Sequence, residues 1–329
     1  MRTTGWKAMG LAALASFAML LAATSRAESE ARFDSSPPVA ISFVQFQSPD
    51  LTKPPGTMLT IQGKLSVPAE TGGWQHGNGH HGKRRLPAVL IVHGSAGIDS
   101  RGDFYEAALN EAGIATLQID MWQARGYNAP GQRPAAIYLT YPDAFSALRF
   151  LSHQPNIDAS RIGVLGFSWG GLVSMGAAER LYSSTYGNGL TFKAHVAHYP
   201  VCYAWNNAAL FAKLGLTPAQ FGVQWINLTG APVLIEVGSS DDYDNGAGHC
   251  RALAQAVNPG NGNVVQVVEV PDSEHAWDRL MVPITVADPF GNEGSVFVTG
   301  KIPTVQLAPN VEQAYAARER VVRFFKHGL

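Results

Sequence analysis

The chain has 329 residues and a formal net charge of −1 at pH 7, and its charged residues make up only 15%. This length is enough for one full hydrophobic core. Nothing in this near-zero net charge suggests the excess of basic residues with which proteins bind nucleic acids or anionic membranes.

The N-terminal part of the chain is predicted to be a targeting segment followed by a leader. Arg2 and Lys7 precede a short apolar run, and Ser25 and Ala27 occupy the small-residue positions of a cleavage site. This order is typical of a secretory signal peptide that is cleaved after Ala27, so we expect a flexible leader at 28–38 and a secreted or periplasmic protein without a membrane partner. A membrane anchor is the alternative, although the run is short for a span of about 20 residues.

Alternating apolar and polar residues then predict two antiparallel strands, in AISFVQFQS and MLTIQGKLSVP. A glycine-rich loop follows, in which His76, His80 and His81 are more typical of an exposed loop than of a metal site. From Leu86 onwards, near-continuous apolar strands alternate with helical patterns. These patterns predict one domain over 39–329, with a mostly parallel sheet, helices on both of its faces and antiparallel strands at its N-terminal edge.

The stretch RIGVLGFSWGGLVSMGAAERL, residues 161–181, places Ser168 between an apolar strand and a helical pattern. In a strand–turn–helix elbow of this kind the serine hydroxyl is exposed above the sheet, and the helix N-terminus offers N–H groups to a developing oxyanion. We expect Gly166 and Gly170 to be required because a Cβ there would collide with the neighbouring strand or helix. A glycine-rich turn with an incidental serine is the alternative.

Acidic and histidine side chains follow two later strands, where the functional residues of open α/β sheets collect. Asp241 and Asp242 come after VLIEVG, and His275 comes after VVQVVEV. A serine hydroxyl needs a base to become a nucleophile, and the base needs an orienting carboxylate. We therefore predict a catalytic triad of Ser168, His275 and Asp241, with Asp242 as the alternative acid, and we expect Asp244 to be a turn residue.

The loop after the strand LPAVLIV is predicted to complete the oxyanion hole. One N–H group is expected from Trp169, and the second from Ser95 or Ala96. His93 is expected to hold this loop rather than to act as a second base.

Several aromatic residues near predicted strand ends suggest an apolar substrate pocket, with ordinary core packing as the alternative for each. They are Trp122, Trp169, Tyr203, Trp205 and Trp277. Arg125 either binds a substrate carboxylate or anchors its own loop.

The only two cysteines, Cys202 and Cys250, lie near the same edge of the predicted site. In an oxidising compartment they can form one disulfide, which we expect to brace the loop that carries the acid. Two buried free thiols are the alternative.

Three motifs, LGFSWGG, GSSDDYDNGAGHCRAL and VPDSEHAWD, together with the closing AYAARERVVRFFKHGL, resemble the dienelactone hydrolase family of α/β-hydrolases over about residues 60–329. The resemblance implies the α/β-hydrolase fold, and the family's Gly-x-x-Asp pattern, here from Gly238 to Asp241, favours Asp241 as the acid. Dienelactone hydrolase itself uses a cysteine nucleophile with a glutamate near the first loop. This chain has Ser168 instead and no glutamate over 86–105, so an ordinary serine esterase is the better interpretation.

We therefore expect a secreted serine hydrolase that cleaves small carboxylic esters or related acyl compounds through an acyl-enzyme, without a cofactor or metal. One alternative is a non-catalytic binding member of the same fold, which an intact triad argues against. Another is an amidase or peptidase, for which no propeller or large cap domain is evident. The sequence does not set the oligomeric state.

Overall fold

The computed structural model describes residues 38–69, 85–129 and 131–329. The signal peptide predicted at 1–27, the leader up to residue 37 and the loop with His76, His80 and His81 lie outside these ranges. Within the described ranges, no helix combines the length and the apolar character that a bilayer-spanning helix needs.

A central sheet of eight strands organises the domain. The strands are β1 (Val39–Pro49), β2 (Met58–Pro68), β3 (Leu86–Val92), β4 (Ala115–Asp120), β5 (Ile157–Phe167), β6 (His195–His198), β7 (Val233–Gly238) and β8 (Val265–Val270). Their order in the sheet is β1-β2-β4-β3-β5-β6-β7-β8. Strands β3 to β8 are parallel, whereas β2 pairs antiparallel with both β1 and β4, so the antiparallel strands form the N-terminal edge as predicted.

Ten α-helical segments connect these strands and extend beyond them. They are α1 (Ser100–Glu111), α2 (Tyr141–Ser152), α3 (Trp169–Ala178), α4 (Arg180–Tyr186), α5 (Ala208–Ala212), α6 (Pro218–Phe221), α7 (Gly248–Val257), α8 (Gly291–Gly294), α9 (Val296–Thr299) and α10 (Val311–Gly328), counted over the described residues. The longest of them, α10, ends the chain and is capped by Asn310, whose side chain accepts a hydrogen bond from the Gln313 N–H.

The helices cover both faces of the sheet, and strand β3 shows why its sequence is apolar throughout. Leu90 and Val92 pack with residues of α2 and α3 on one face, whereas Val89 and Ile91 pack with residues of α1 and α10 on the other. Successive side chains of a strand point to opposite faces, so burial on both faces requires an unbroken apolar run. The predicted α/β architecture is confirmed.

Two segments of the fold are not predicted by the sequence patterns. Helices α5 and α6 lie between β6 and β7, and a two-stranded antiparallel sheet of β9 (Ile284–Ala287) and β10 (Thr304–Leu307) lies between β8 and α10. Elements of four or five residues are too short to show a helical or strand periodicity. We call residues 281–307 the insertion.

Cys202 and Cys250 form a disulfide in the structure, in agreement with the predicted pairing. Cys202 begins a short 3₁₀ turn after β6, and Cys250 lies in the first turn of α7. The bond therefore joins the segment that follows β6 to the helix that follows the acid loop, residues 239–247.

Candidate active site

Ser168 lies at a sharp turn between β5 and α3, with a backbone φ of 52° and ψ of −108°. Positive φ is a strained conformation for a residue that carries a Cβ. A Cβ on Gly166 would lie 1.9 Å from the Gly170 carbonyl oxygen, and a Cβ on Gly170 would lie 2.1 Å from the Val92 carbonyl oxygen. Both positions therefore require glycine, which confirms the clash expected from the sequence.

A chain of two hydrogen bonds joins Ser168, His275 and Asp241. The His275 Nε2 atom is 3.0 Å from the Ser168 Oγ atom, and the His275 Nδ1 atom is 2.8 Å from Asp241 Oδ2. Asp241 Oδ1 accepts a further hydrogen bond from the Tyr243 N–H at 2.9 Å. Because a carboxylate accepts the Nδ1 proton, the lone pair of Nε2 faces the serine hydroxyl.

The acid loop uses its three aspartates in three different ways. Asp242 accepts a hydrogen bond from the Gln306 N–H in the insertion, whereas His275 donates to Asp241. Asp244 is fully buried and accepts hydrogen bonds from the N–H groups of Cys202 and Tyr203, each at 2.7 Å. Asp244 lies in a turn, as expected, and it also anchors the acid loop to the disulfide-linked segment.

Burial shifts the pKa of the Asp244 carboxyl. Burial, together with the nearby charge of Asp241, raises the pKa of Asp244 to about 7. The two backbone N–H groups oppose this rise because they stabilise the ionised carboxylate. Asp244 therefore titrates in the neutral range while it holds the acid loop.

A buried polar cluster behind His275 holds the loop that carries it. Asp278 accepts hydrogen bonds from the hydroxyl groups of Tyr105 and Tyr199, and His198 Nδ1 lies 3.0 Å from its Oδ2 atom. The Tyr199 ring also packs against the imidazole of His275, with ring centroids 4.6 Å apart. Through Tyr199, this cluster packs against the imidazole of the candidate base.

The sequence patterns do not identify Asp278 as part of this cluster. Burial raises its pKa, but hydrogen bonding to His198 and the charges of His198 and Arg101 outweigh that effect, so the pKa lies below its ordinary value. Asp278 therefore stays ionised inside the protein. The sequence around Asp278 does not indicate these partners, because they lie far away along the chain, in α1, in β6 and directly after β6.

The loop after β3 is held by His93, as expected. Its Nε2 atom accepts a hydrogen bond from the Met121 N–H at 3.0 Å, and its Nδ1 atom donates to the Gly94 carbonyl oxygen at 2.8 Å. Burial lowers the pKa of His93, in keeping with a neutral imidazole that both donates and accepts. The Gly94 carbonyl also accepts from the Gly97 N–H, so it points into the loop. In a trans peptide the N–H of the next residue, Ser95, then points the opposite way.

A cavity of about 40 Å³ adjoins Ser168, and both Ser95 and Trp169 line it. Ala96, the alternative to Ser95, is not among its lining residues. The remaining walls are mostly apolar. They consist of Ile137, Leu172, Val201, Ala204, Phe221, Val223 and Phe290, with Tyr243 and the charged pair Arg133 and Asp288.

The structure places Trp122 and Arg125 outside this lining, which corrects their assignment to the pocket. The Trp122 indole N–H donates to the Ser95 carbonyl oxygen at 3.0 Å, so it supports the loop from behind. Arg125 donates to the carbonyl oxygens of Met121 and Leu139 and forms an ion pair with Asp143 at 2.7 Å. The two terminal nitrogens of its guanidinium, Nη1 and Nη2, therefore anchor its own loop.

Three more aromatic residues of the predicted pocket also lie elsewhere. Trp277 is fully buried against the rings of His198 and Tyr199, and Trp205 is buried beside Trp225. The Tyr203 hydroxyl donates to the Phe290 carbonyl oxygen at 2.9 Å. Each is better described by its packing partners, and among the five predicted aromatic residues Trp169 alone lines the cavity.

The position of the serine on its turn, with the acid after β7 and the histidine after β8, is the arrangement of an α/β-hydrolase. The sheet order and the helices on both faces agree with this class.

Comparisons with known proteins place the chain within that class. The sequence model of the dienelactone hydrolase family matches residues 78–327. An uncharacterized protein of Mycobacterium tuberculosis is 31% identical over 213 residues, which cover 64% of this chain and 72% of that protein. The chain therefore belongs to the dienelactone hydrolase family, and it is a hydrolase that acts on ester bonds.

Solved structures share the fold at low sequence identity. A hyperthermophilic esterase from Pyrobaculum calidifontis superposes with a TM-score of 0.54 at 17% identity, over 88% of this chain and 84% of that chain. A dienelactone hydrolase-like promiscuous phosphotriesterase from metagenomic libraries gives a TM-score of 0.52 at 16% identity, over 88% of this chain and 99% of that chain.

Proposed function

We propose that this protein is a serine esterase in which Ser168, His275 and Asp241 act as a catalytic triad through an acyl-enzyme. The observation that carries the proposal is a pair of hydrogen bonds: His275 Nδ1 donates to Asp241 at 2.8 Å, and the Ser168 hydroxyl donates to His275 Nε2 at 3.0 Å. Both distances lie within the hydrogen-bond range that a nucleophile, its base and the orienting acid need.

The proposed reaction begins when the Ser168 Oγ atom attacks the ester carbonyl carbon and its proton passes to His275 Nε2. Asp241 stabilises the imidazolium that forms, because its carboxylate already accepts the Nδ1 proton. The imidazolium then gives its proton to the leaving alcohol, and the acyl group remains on the serine. A water molecule, deprotonated by His275, attacks the carbonyl carbon of this acyl-enzyme. The bond between the acyl group and Oγ then breaks, His275 returns the proton to Ser168, and the acid is released.

The N–H groups of Trp169 and Ser95 are the proposed donors to the oxyanion. Trp169 is the first residue of α3, so its N–H has no acceptor within the helix and lies at the positive end of the helix dipole. The Ser95 N–H points away from its own loop because the Gly94 carbonyl is held inside it. Both residues line the cavity that Ser168 adjoins.

A fluorophosphonate tests whether Ser168 is the activated nucleophile. We expect one label per folded chain, attached to the peptide that contains Ser168, because the reagent reacts with serines whose hydroxyl a neighbouring base activates. Mass spectrometry of a digest locates the label, and urea-unfolded protein is the control that should stay unlabelled. Turnover of esters with the label on another residue would move the nucleophile, and absence of both label and turnover would favour a non-catalytic binding protein.

We also propose that the protein is exported. The order of charged, apolar and small residues before Glu28 supports export, and so does a disulfide, which persists in oxidising compartments. The intact mass of protein recovered from the periplasm or the medium is expected to match residues 28–329 with one disulfide. A mass that includes the first 27 residues, or two free thiols, would contradict export.

A further inference from the structure

We propose that the cavity beside Ser168 selects esters with small, uncharged acyl chains, and that Asp288 sets this selectivity by neutralising Arg133. The proposal deepens the esterase function and rests on it. Selectivity against a substrate often comes from a repulsive group as well as from attractive contacts, and Asp288 is the repulsive group in this case.

The size and the polarity of the cavity favour a short aliphatic chain. Its volume of about 40 Å³ is room for about three water molecules. Leu172, Phe221 and Phe290 are among its walls. Contact between these side chains and an aliphatic chain is favourable because it removes apolar surface from water.

Among the described residues that line the cavity, Arg133 and Asp288 are the charged ones, and they form an ion pair with each other. Arg133 Nη1 donates to Asp288 Oδ2 at 2.7 Å, and Nη2 donates to Oδ1 at 2.9 Å. Both ends of the guanidinium fork are thus directed at one carboxylate. The guanidinium also lies near the rings of Trp169 and Phe290, which fix it in the wall.

Asp288 is held in place by groups other than Arg133. Its Oδ1 atom accepts a hydrogen bond from the Phe290 N–H at 2.9 Å, and its Oδ2 atom accepts one from the Tyr243 hydroxyl at 3.0 Å. Burial raises the pKa of Asp288, but the hydrogen bonds and the charge of Arg133 outweigh burial and keep the pKa below its ordinary value. The carboxylate is therefore ionised at neutral pH and cannot swing away to free the arginine.

An ester whose acyl chain ends in a carboxylate meets two obstacles in this cavity. Its charge would enter a poorly solvated space beside the ionised Asp288, where like charges repel strongly. Arg133, the one cation among the described lining residues, already pairs with that aspartate, so the substrate would have to displace an internal carboxylate of equal charge. Removing the charge of Asp288 alone would change the charge of the lining from zero to +1 and would turn Arg133 into an acceptor for anions.

Two methyl esters of matched shape provide the test. Monomethyl succinate carries a terminal carboxylate, and methyl 4-methylpentanoate carries an isopropyl group of the same size in its place. With methanol as the leaving group, the acyl chain is the only large part of either ester that needs the cavity. The measured quantity is the ratio of kcat/KM for the charged ester to kcat/KM for the neutral one.

The parent protein is expected to prefer the neutral ester, and Asp288→Asn is expected to raise the ratio by at least about tenfold. The amide keeps an oxygen for the Phe290 N–H, so the turn is preserved. Arg133→Gln is expected to lower the ratio, because it leaves Asp288 without its partner. The double variant Arg133→Gln/Asp288→Asn is the matched control and should return the ratio to within a few-fold of the parent.

The proposal is supported if the ratio of the two kcat/KM values rises in Asp288→Asn and falls in Arg133→Gln, even if one of these variants loses overall activity. A ratio that stays at the parent value in both variants would overturn it, and so would a parent protein that prefers monomethyl succinate. Failure of the esterase function itself would be recognised separately, because the parent would then hydrolyse neither ester.

Discussion

Replacement of Ser168 by alanine is expected to lower kcat for ester hydrolysis by a factor of about 10³ or more. The Oγ atom is the proposed attacking atom, and no other hydroxyl is hydrogen-bonded to His275 among the described residues. The change removes one oxygen atom and leaves the backbone of the turn as it is, so the protein should stay folded. Turnover of a chromogenic ester measures the loss, and circular dichroism on heating checks the fold.

Ser174 offers a matched control for this substitution. It lies on the same helix, α3, but its hydroxyl is fully buried and makes no hydrogen bond within the described part of the chain. Ser174→Ala should therefore keep kcat within a few-fold of the parent. If Ser168→Ala instead kept activity within about tenfold of the parent, the triad proposal would fail.

Replacement of Asp241 by asparagine is expected to lower kcat by up to about 10⁴, whereas Asp242→Asn should cost far less. Asp241 accepts the Nδ1 proton of His275 at 2.8 Å. An amide in its place cannot balance the charge of the imidazolium, and if its NH₂ group faces Nδ1 it favours the wrong tautomer of the base. Asp242 instead binds the Gln306 N–H, which an asparagine oxygen can also do.

The neighbouring positions of the two aspartates make this comparison a strict one. Both substitutions change one carboxylate to an amide in the same loop, so effects on net charge and solubility are shared. Steady-state kinetics on one ester, with thermal unfolding of each variant, separate loss of chemistry from loss of fold. A larger effect at Asp242 would transfer the role of the acid to that residue.

The fold and the candidate triad could be predicted because both depend on short stretches of sequence. Strands buried on both faces need unbroken apolar runs. The close approach of α3 to β5 requires Gly166, and its close approach to the end of β3 requires Gly170. The acid and the histidine each follow such a strand directly. In a parallel sheet the ends of neighbouring strands lie side by side, so the structure brings both to Ser168.

The walls of the cavity could not be predicted in the same way. Arg133 and Asp288 are 155 positions apart, and Phe221 and Phe290 lie in elements of four or five residues or in turns that have no periodicity. Aromatic residues near strand ends were the only available signal for a pocket. That signal does not tell a wall from a core, because both are apolar and only tertiary packing separates them.

The strained backbone at Ser168 means that a serine at this position lowers the stability of the fold. A non-glycine residue at positive φ costs about 1–3 kcal/mol, while glycine adopts positive φ without that cost. Mutation and selection for thermal stability alone would therefore drive this position towards glycine. In a protein that only bound ligands this exchange would relieve the strain, against a smaller entropic cost of roughly 0.5–1 kcal/mol for glycine and the loss of the hydrogen bond to His275. A serine at position 168 thus lowers the stability of the fold. This loss is expected where the hydroxyl takes part in turnover, and it is not expected of a protein that only binds its ligand.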